Sequence, residues 1–589
     1  MKQFLITVAG VLVGGFLLLL LPLLFLMIVG SAISAFTSNS SKPEENTVLV
    51  YNLETIVTDY QATDPIGAFS AAFGGNKYDA ITLSKLTATL QAAAADDNIS
   101  CLMLRGTSSG ASYSAMKEIL PYLNAFKESG KPIYYFDSSM DQSALYLASS
   151  ADSVFVVPTG MLMIHGLSGT YTYYKNALDK FGIDVQIIRH GKYKSAVEPF
   201  MSDHMSDAAR EQTQKYLDAI WNDMRTTIAT NRNISSEQVD EYANKLNFAE
   251  LQSAIDAKLI DRCIYKDEYL AMIRKEIGLE PNQEIKTISV NGYSTTLEPA
   301  DDLSNNKLAV IYAQGEILDG TANGIASDIY GDDLARTIRQ ARTDDDVKSI
   351  VLRVNSPGGS ALASDIIWRE VKLTSLTKPI VVSMGQYAAS GGYYISCAAN
   401  HIFAEPTTIT GSIGIFGMVP CVQKAANNIG LNFDTVNTNE QGIPTLTQPL
   451  SDGWKDLLQK RIEAGYQTFI TRCADGRQTT TEHIDSIGQG RVWAGSDAIN
   501  IGLVDQLGSL NDAIDYAAQL ANMGEDYEIS ELPTSDESLA AMLKQLGMNT
   551  RATIGKCLLG KSYDIVQKIE KISDMPMIEA RIEYDIDLH

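Results

Sequence analysis

At 589 residues the chain is too long for one ordinary domain, and 45% hydrophobic residues mark it as globular. Its 71 acidic against 47 basic residues leave a formal net charge of −24, which argues against nucleic acid as a partner, because phosphate binding needs a basic face. The six cysteines show neither CxxC nor other metal-like spacing, so neither a disulfide framework nor a zinc site is signalled, and no cofactor is expected.

After Met1 and Lys2, the stretch from Phe4 to Gly30 is an uncharged apolar run of 27 residues, long enough to span a bilayer as a helix. We expect a membrane anchor and its flank over residues 1–36, in contact with the lipid bilayer through residues 4–30. Ala32 to Ala35 imitates a cleavage site, but the length of the run favours retention. Lys2, the only charge before the span, places the N-terminus in the cytoplasm and the bulk outside it. Residues 37–46, rich in Ser, Asn and Glu, read as a linker.

Beyond the linker the chain repeats itself. Leu102-Met103-Leu104-Arg105 is echoed by Ile350-Val351-Leu352-Arg353, Lys131-Pro132-Ile133 by Lys378-Pro379-Ile380, and Phe181-Gly182-Ile183-Asp184 by Ile429-Gly430-Leu431-Asn432. The offset is nearly constant: 358 − 110 = 248 between Gly110 and Gly358, 393 − 146 = 247 between Tyr146 and Tyr393, and 430 − 182 = 248 between Gly182 and Gly430. Two copies of one domain follow, 47–298 and 306–522, with a polar linker at 299–305 and a C-terminal extension at 523–589.

The second copy alternates strand and helix: Leu308 to Tyr312 and Ser349 to Val354 read as strands, Asp332 to Thr343 and Ala361 to Leu376 as helices, and Ile380 to Ser383 as a further strand. Such alternation argues for an α/β fold of parallel strands layered with helices, with a site at the junction of the two copies. The strand–helix turn Asn355 to Ser360 holds Gly358 and Gly359, whose backbone N–H groups can face an oxyanion without side-chain obstruction. In the first copy the matching turn, Thr107 to Ser112, has lost the proline and one glycine.

From Val382 to Ala398 the sequence reads as the end of a short strand, a tight turn and a helix whose first turn holds Ser390, Gly391 and Gly392. A serine there can be a nucleophile, and it then needs a base. None of the six histidines shares a motif with it. Lys194 is a candidate, in a loop between Tyr193 and Ser195-Ala196-Val197, because burial disfavours the ammonium form. Tyr527 to Leu532 reads as a strand, Ser538 to Leu546 as a helix and Ala580 to Leu588 as a strand-like ending, all three packing on the second copy or mediating assembly.

The combination of Tyr193 to Phe200, Asn355 to Gly359, Ala388 to Tyr393, Thr410 to Gly417 and Gly490 to Gly495 with Gly502 to Asp505 resembles the signal peptide peptidase A (protease IV) family in its long, duplicated form. The resemblance implies tandem Clp protease/crotonase-like domains, a Ser–Lys dyad with Ser390 as nucleophile and Lys194 as general base, and oxyanion amides among Gly358, Gly359 and Gly391. It further implies hydrophobic peptide substrates such as remnant signal peptides, a homotetramer, and a place in the bacterial cytoplasmic membrane with the bulk on the periplasmic side.

Shifting Lys194 by 248 lands on Gly442, and shifting Ser390 back by 247 lands on Ser143, which lacks both glycines. We therefore expect one composite site per chain, its base from the first copy and its nucleophile from the second. Thr408 to Gly417 has two readings, a strand beside an extended substrate or a core strand. The rival reading of the whole is a catalytically silent membrane scaffold; acyl-CoA chemistry is disfavoured because no carboxylate pair stands at the glycine turns.

Overall fold

The structure, a computed structural model, describes residues 42–61, 79–246, 250–297, 305–322, 328–533, 578–582 and 587–588. The apolar run 4–30 and the helix expected over 538–546 lie outside the described residues. Among the described residues no helix is long and apolar enough to cross a membrane.

Two six-strand paths carry the duplication. In the first copy the order is Arg262–Cys263, Ser153–Val156, Ile133–Asp137, Ile99–Arg105, Thr47–Asn52 and Thr287–Ser289, every neighbour parallel. In the second it is Gln506–Leu507, His401–Ala404, Ile380–Ala389, Val347–Ser356, Lys307–Gln314 and Glu528–Leu532, again all parallel. The strand expected near residue 527 thus takes the edge place that Thr287–Ser289 holds in the first copy.

These strands are nearly continuous apolar runs because both faces are covered. Lys307–Gln314 is buried at six successive positions. Ile311 and Leu352 face the helices Gly331–Thr343 and Ala361–Ser375, while Leu308, Val310 and Val351 pack on the other side against Leu510, Ala513 and Ile514 of helix Leu510–Leu520. All the secondary-structure elements expected in residues 306–380 are present, each within a residue or two of its expected ends.

One element differs. The strand read as ending at Ser383 continues to Ala389, so that Ser390 follows a ten-residue strand directly, with no intervening turn. The extension is stabilised by a new partner: Tyr387, Ala388 and Ala389 pair with Ile409, Thr410 and Gly411. Ile409–Gly411 pairs on its other side with Val492–Ala494, so this part of Thr408 to Gly417 is core strand rather than an open edge.

A further sheet crosses between the copies. Asp184–Arg189 of the first copy pairs antiparallel with Phe416–Cys421 of the second, from Asp184↔Cys421 to Arg189↔Phe416. Its order continues through Glu579–Arg581, Gly358–Ser360, Ile317–Leu318 and Ile329–Tyr330. Near the other end of the chain, Asp587–Leu588 pairs antiparallel with Gly169–Thr170.

The copies are also joined by a buried charge cluster. Arg353 donates from Nε to Asp59 Oδ1 at 2.8 Å, from Nη2 to Glu118 Oε1 at 2.5 Å and from Nη1 to Ser383 Oγ at 2.8 Å. Glu118 Oε2 accepts from Leu510 N at 2.7 Å, and Asp59 Oδ2 from Asn355 Nδ2 at 2.6 Å. Burial raises the Glu118 pKa in spite of the guanidinium. Arg353 therefore neutralises two carboxylates that have lost their water, and removing it strands them. R353M is expected to cost about 3–5 kcal/mol and to lower the midpoint of thermal unfolding. K245A, which breaks the exposed Lys245–Glu241 pair, is expected to change stability by less than about 1 kcal/mol. Equal midpoints for R353M and the unmodified chain would contradict the role given to the cluster.

Candidate active site

Ser390 caps the helix Gly391–Ser396 with φ 55° and ψ −110°. A serine avoids positive φ unless the surroundings impose it, and such residues concentrate at functional sites. The imposition is visible on both sides: Ser390 N donates to Gly411 O at 2.8 Å, and the pairing of Ala389 with Gly411 fixes the strand that precedes it. Ser390 is fully buried, and its hydroxyl meets a side chain of the first copy.

Lys194 arrives there through the cross-copy sheet. It follows strand Asp184–Arg189 and precedes the 3-10 turn Ser195–Val197. Its Nζ donates to Ser390 Oγ at 2.7 Å and to Ser412 Oγ and O at 3.1 and 3.2 Å. Its residual exposure is 1%, and Ser390's is 0%. Ser390 Oγ also lies 3.4 Å from Gly414 O, as a donor.

The loop bearing Lys194 is clamped by residues 489–492. Tyr193 N donates to Gln489 O at 2.9 Å, and Gln212 Nε2 donates to Tyr193 O and Ser195 Oγ while its Oε1 accepts from Val492 N. Arg491 stacks over the Tyr193 ring at 4.8 Å. Gly490 explains why this motif needs a glycine: with φ 84°, a Cβ there would lie 2.6–2.7 Å from the N, Cα and Cβ of Lys194.

The glycines separate into two roles. Gly358 (φ 101°) lies against Gly391: a Cβ on Gly358 would sit 2.7 Å from Gly391 N. Gly359 instead backs onto the sheet, where its Cβ would lie 2.1 Å from Ile317 O, matching its pairing with Ile317. Of the three candidates for oxyanion amides, the structure therefore brings Gly358 and Gly391 together beside Ser390 and turns Gly359 toward Ile317.

Ser143 has no comparable setting. It sits in helix Gln142–Ala148, where its Oγ donates to Asp141 Oδ1 at 2.7 Å and accepts from Ser109 N at 2.8 Å. Gly442, the counterpart of Lys194, lies in an exposed irregular segment. His190, near Lys194 in sequence, stacks on Tyr466 with ring centroids 4.0 Å apart, and His401 lies between Phe403 and Tyr516, where burial lowers its pKa.

Sequence reasoning did not single out Ser412. Its signal was present in Gly411-Ser412-Ile413-Gly414, a serine between glycines that also adopts positive φ, 50°. Its carbonyl and hydroxyl both accept from Nζ, leaving the lysine aimed at Ser390.

The profile of Peptidase family S49 matches residues 125–280 and 372–524, one stretch in each copy. Protease 4 of Salmonella typhi is 37% identical over 516 residues, which cover 85% of this chain and 83% of that one. The chain belongs to peptidase family S49. As an S49 protein with duplicated S49 domains it is a serine peptidase, which sets aside the silent-scaffold alternative. Other S49-type relatives include the chloroplastic serine protease SPPA of Arabidopsis thaliana, 31% identical over 85% of this chain and 74% of its own. The putative signal peptide peptidase SppA of Enterococcus faecium is 31% identical over 37% of this chain and 64% of its own.

With the S49 site so arranged, S412A is expected to lower kcat on a peptide substrate about 5–30-fold, the loss of the one hydrogen bond from Nζ to the Ser412 hydroxyl, the carbonyl contact being kept. S143A is expected to leave it within about twofold. A full-rate S412A enzyme would remove Ser412 from the account.

Proposed function

We propose that this serine peptidase cleaves peptides with Ser390 as nucleophile and Lys194 as general base, one residue from each repeat. The observation that carries the reading is the 2.7 Å contact of Nζ with Oγ between two side chains cut off from water. Desolvation disfavours an ammonium, so a lysine held there is poised to take a proton.

In that reading Lys194 removes the Ser390 proton as Oγ attacks the substrate carbonyl. The amides of Gly358 and Gly391 stabilise the oxyanion, at roughly 3–4 kcal/mol per donor in a dry site. Lys194 then protonates the leaving amine, and water releases the acyl group by the same steps in reverse.

The wider assignment follows from the sequence. We infer a membrane-anchored endopeptidase held by residues 4–30, with its bulk outside the cytoplasm of a bacterial cell, built from Clp protease/crotonase-like repeats at 47–298 and 306–522 and assembled as a homotetramer. Its substrates are hydrophobic peptides, remnant signal peptides among them. The Enterococcus faecium relative, named as a putative signal peptide peptidase, supports that substrate class.

K194A and S390A are each expected to lower hydrolysis of a synthetic signal peptide by at least about a thousandfold while leaving the fold intact by circular dichroism. Either variant retaining substantial activity would sink the assignment. The rate of the unmodified enzyme is expected to rise with pH through a midpoint below the ~10.4 of a free lysine. A profile flat until about pH 10 would contradict a buried base.

A further inference from the structure

The buried face of helix Asp207–Arg232 runs through Ala208, Ala209, Tyr216, Leu217, Ile220 and Met224, the spacing of a helix packed on a core. Gln212 interrupts that face with a buried amide, which costs free energy unless its polar atoms find partners. Its partners lie outside the helix. Nε2 donates to Tyr193 O at 3.2 Å and to Ser195 Oγ at 2.7 Å, and Oε1 accepts from Val492 N at 3.1 Å.

The two donated bonds straddle Lys194, one going to the residue before it and one to the residue after it. The accepted bond reaches the second copy at strand Val492–Ala494. Val492 is paired with Gly411, whose carbonyl accepts from Ser390 N at 2.8 Å, and the neighbouring Arg491 O accepts from Ser412 N at 2.7 Å. One side chain is thus bonded to both flanks of Lys194 and, one strand pairing away, to the backbone that holds Ser390 and Ser412. The helix that carries Gln212 is itself tied to the lysine loop. Glu198, in the short helix Glu198–Met201 that follows the 3-10 turn, accepts from N and Oγ of Ser206, the cap of helix Asp207–Arg232, at 3.1 and 2.6 Å. A glutamine suits these demands because its amide carries two N–H donors and a carbonyl acceptor on one planar group. An ionised glutamate of the same length could only accept, and leucine would fill the volume without the bonds.

We infer that Gln212 is a positioning residue for peptide cleavage: by holding both chain neighbours of Lys194 and the Val492 strand in one register, it sets where the lysine amine stands relative to the Ser390 hydroxyl. It touches neither reacting atom, and the inference rests on the catalytic assignment of Ser390 and Lys194. Both polar atoms of Gln212 are engaged inside the protein, so its loss acts on turnover and leaves peptide binding in place.

The test is steady-state hydrolysis of a fluorogenic peptide across a range of pH by the purified, detergent-solubilised full chain and by Q212L, Q212E, Q214L and K194A, with thermal unfolding of each followed by circular dichroism. Q212L is expected to lower kcat about 10–100-fold, the scale set by an ångström of misplacement at the reacting groups, with KM within about twofold. Q212E is expected to move the midpoint of the rate–pH profile upward, because a carboxylate beside the backbone of 193–195 favours the ammonium form of Lys194. Q214L, which removes an exposed amide bonded to Asp218 on the same helix, is expected to change kcat by less than about twofold. Full kcat in Q212L, or a midpoint that stays in place in Q212E, would overturn the inference and leave the dyad standing. A kcat lost only in step with folded protein would overturn it as well, since a structural role accounts for that loss. Peptide hydrolysis surviving in K194A would instead overturn the dyad.

Discussion

The antiparallel pairing of Asp184–Arg189 with Phe416–Cys421 is the constraint from which the site follows. Asp184–Arg189 and Phe416–Cys421 belong to different copies of the duplicated domain, and their register fixes where the loop after Arg189 emerges. Residues 489–492 then clamp that loop, and Lys194 has one direction left, toward Ser390 and Ser412. Because the sheet and the clamp fix the lysine's backbone, its amine meets a fully buried serine directly, at 2.7 Å. The strain at Ser390 has the same source, since the Ile409–Gly411 strand that pairs with Ala389 also feeds Ser412 into position.

Duplication explains how a two-residue site became spread over the chain. Both copies keep the same six-strand order, yet on the proposed assignment each lacks the other's half of the dyad. Where the second copy would carry its lysine it has Gly442 in an exposed segment, and where the first would carry its nucleophile, Ser143 is a hydrogen-bonded helix residue. The Arg353 cluster completes the joint. Its carboxylates come from the first copy, its guanidinium from the second, and Asp59 also holds Asn355, which leads into the Gly358 turn. Loss of registry between the copies would therefore disturb Lys194 and the glycine turn together.

Much of this was legible in the sequence because it is local. Alternating apolar and amphipathic runs marked the strands and helices of the second copy, and the constant offset exposed the repeat. Ser390 and Lys194 stood in short motifs with distinctive neighbours, and the structure brings them into contact. What was not legible depends on pairing across long separations. The strand's continuation to Ala389 needs Ile409–Gly411 as partner. The role of Ser412 needs a lysine 218 residues earlier in the chain, and the Arg353–Asp59 pair spans 294. Insertion of Glu579–Arg581 between two strands of the site leaves no periodicity to read in three residues.

The central claim is that one serine, Ser390, is activated by a lysine from the other repeat. Labelling with a serine-reactive fluorophosphonate, followed by mass-spectrometric location of the adduct, tests it most directly. The account predicts a single adduct on Ser390 in the unmodified protein, with labelling lost in S390A and strongly slowed in K194A. An adduct on Ser143 or Ser412, or undiminished labelling of Ser390 in K194A, would contradict it.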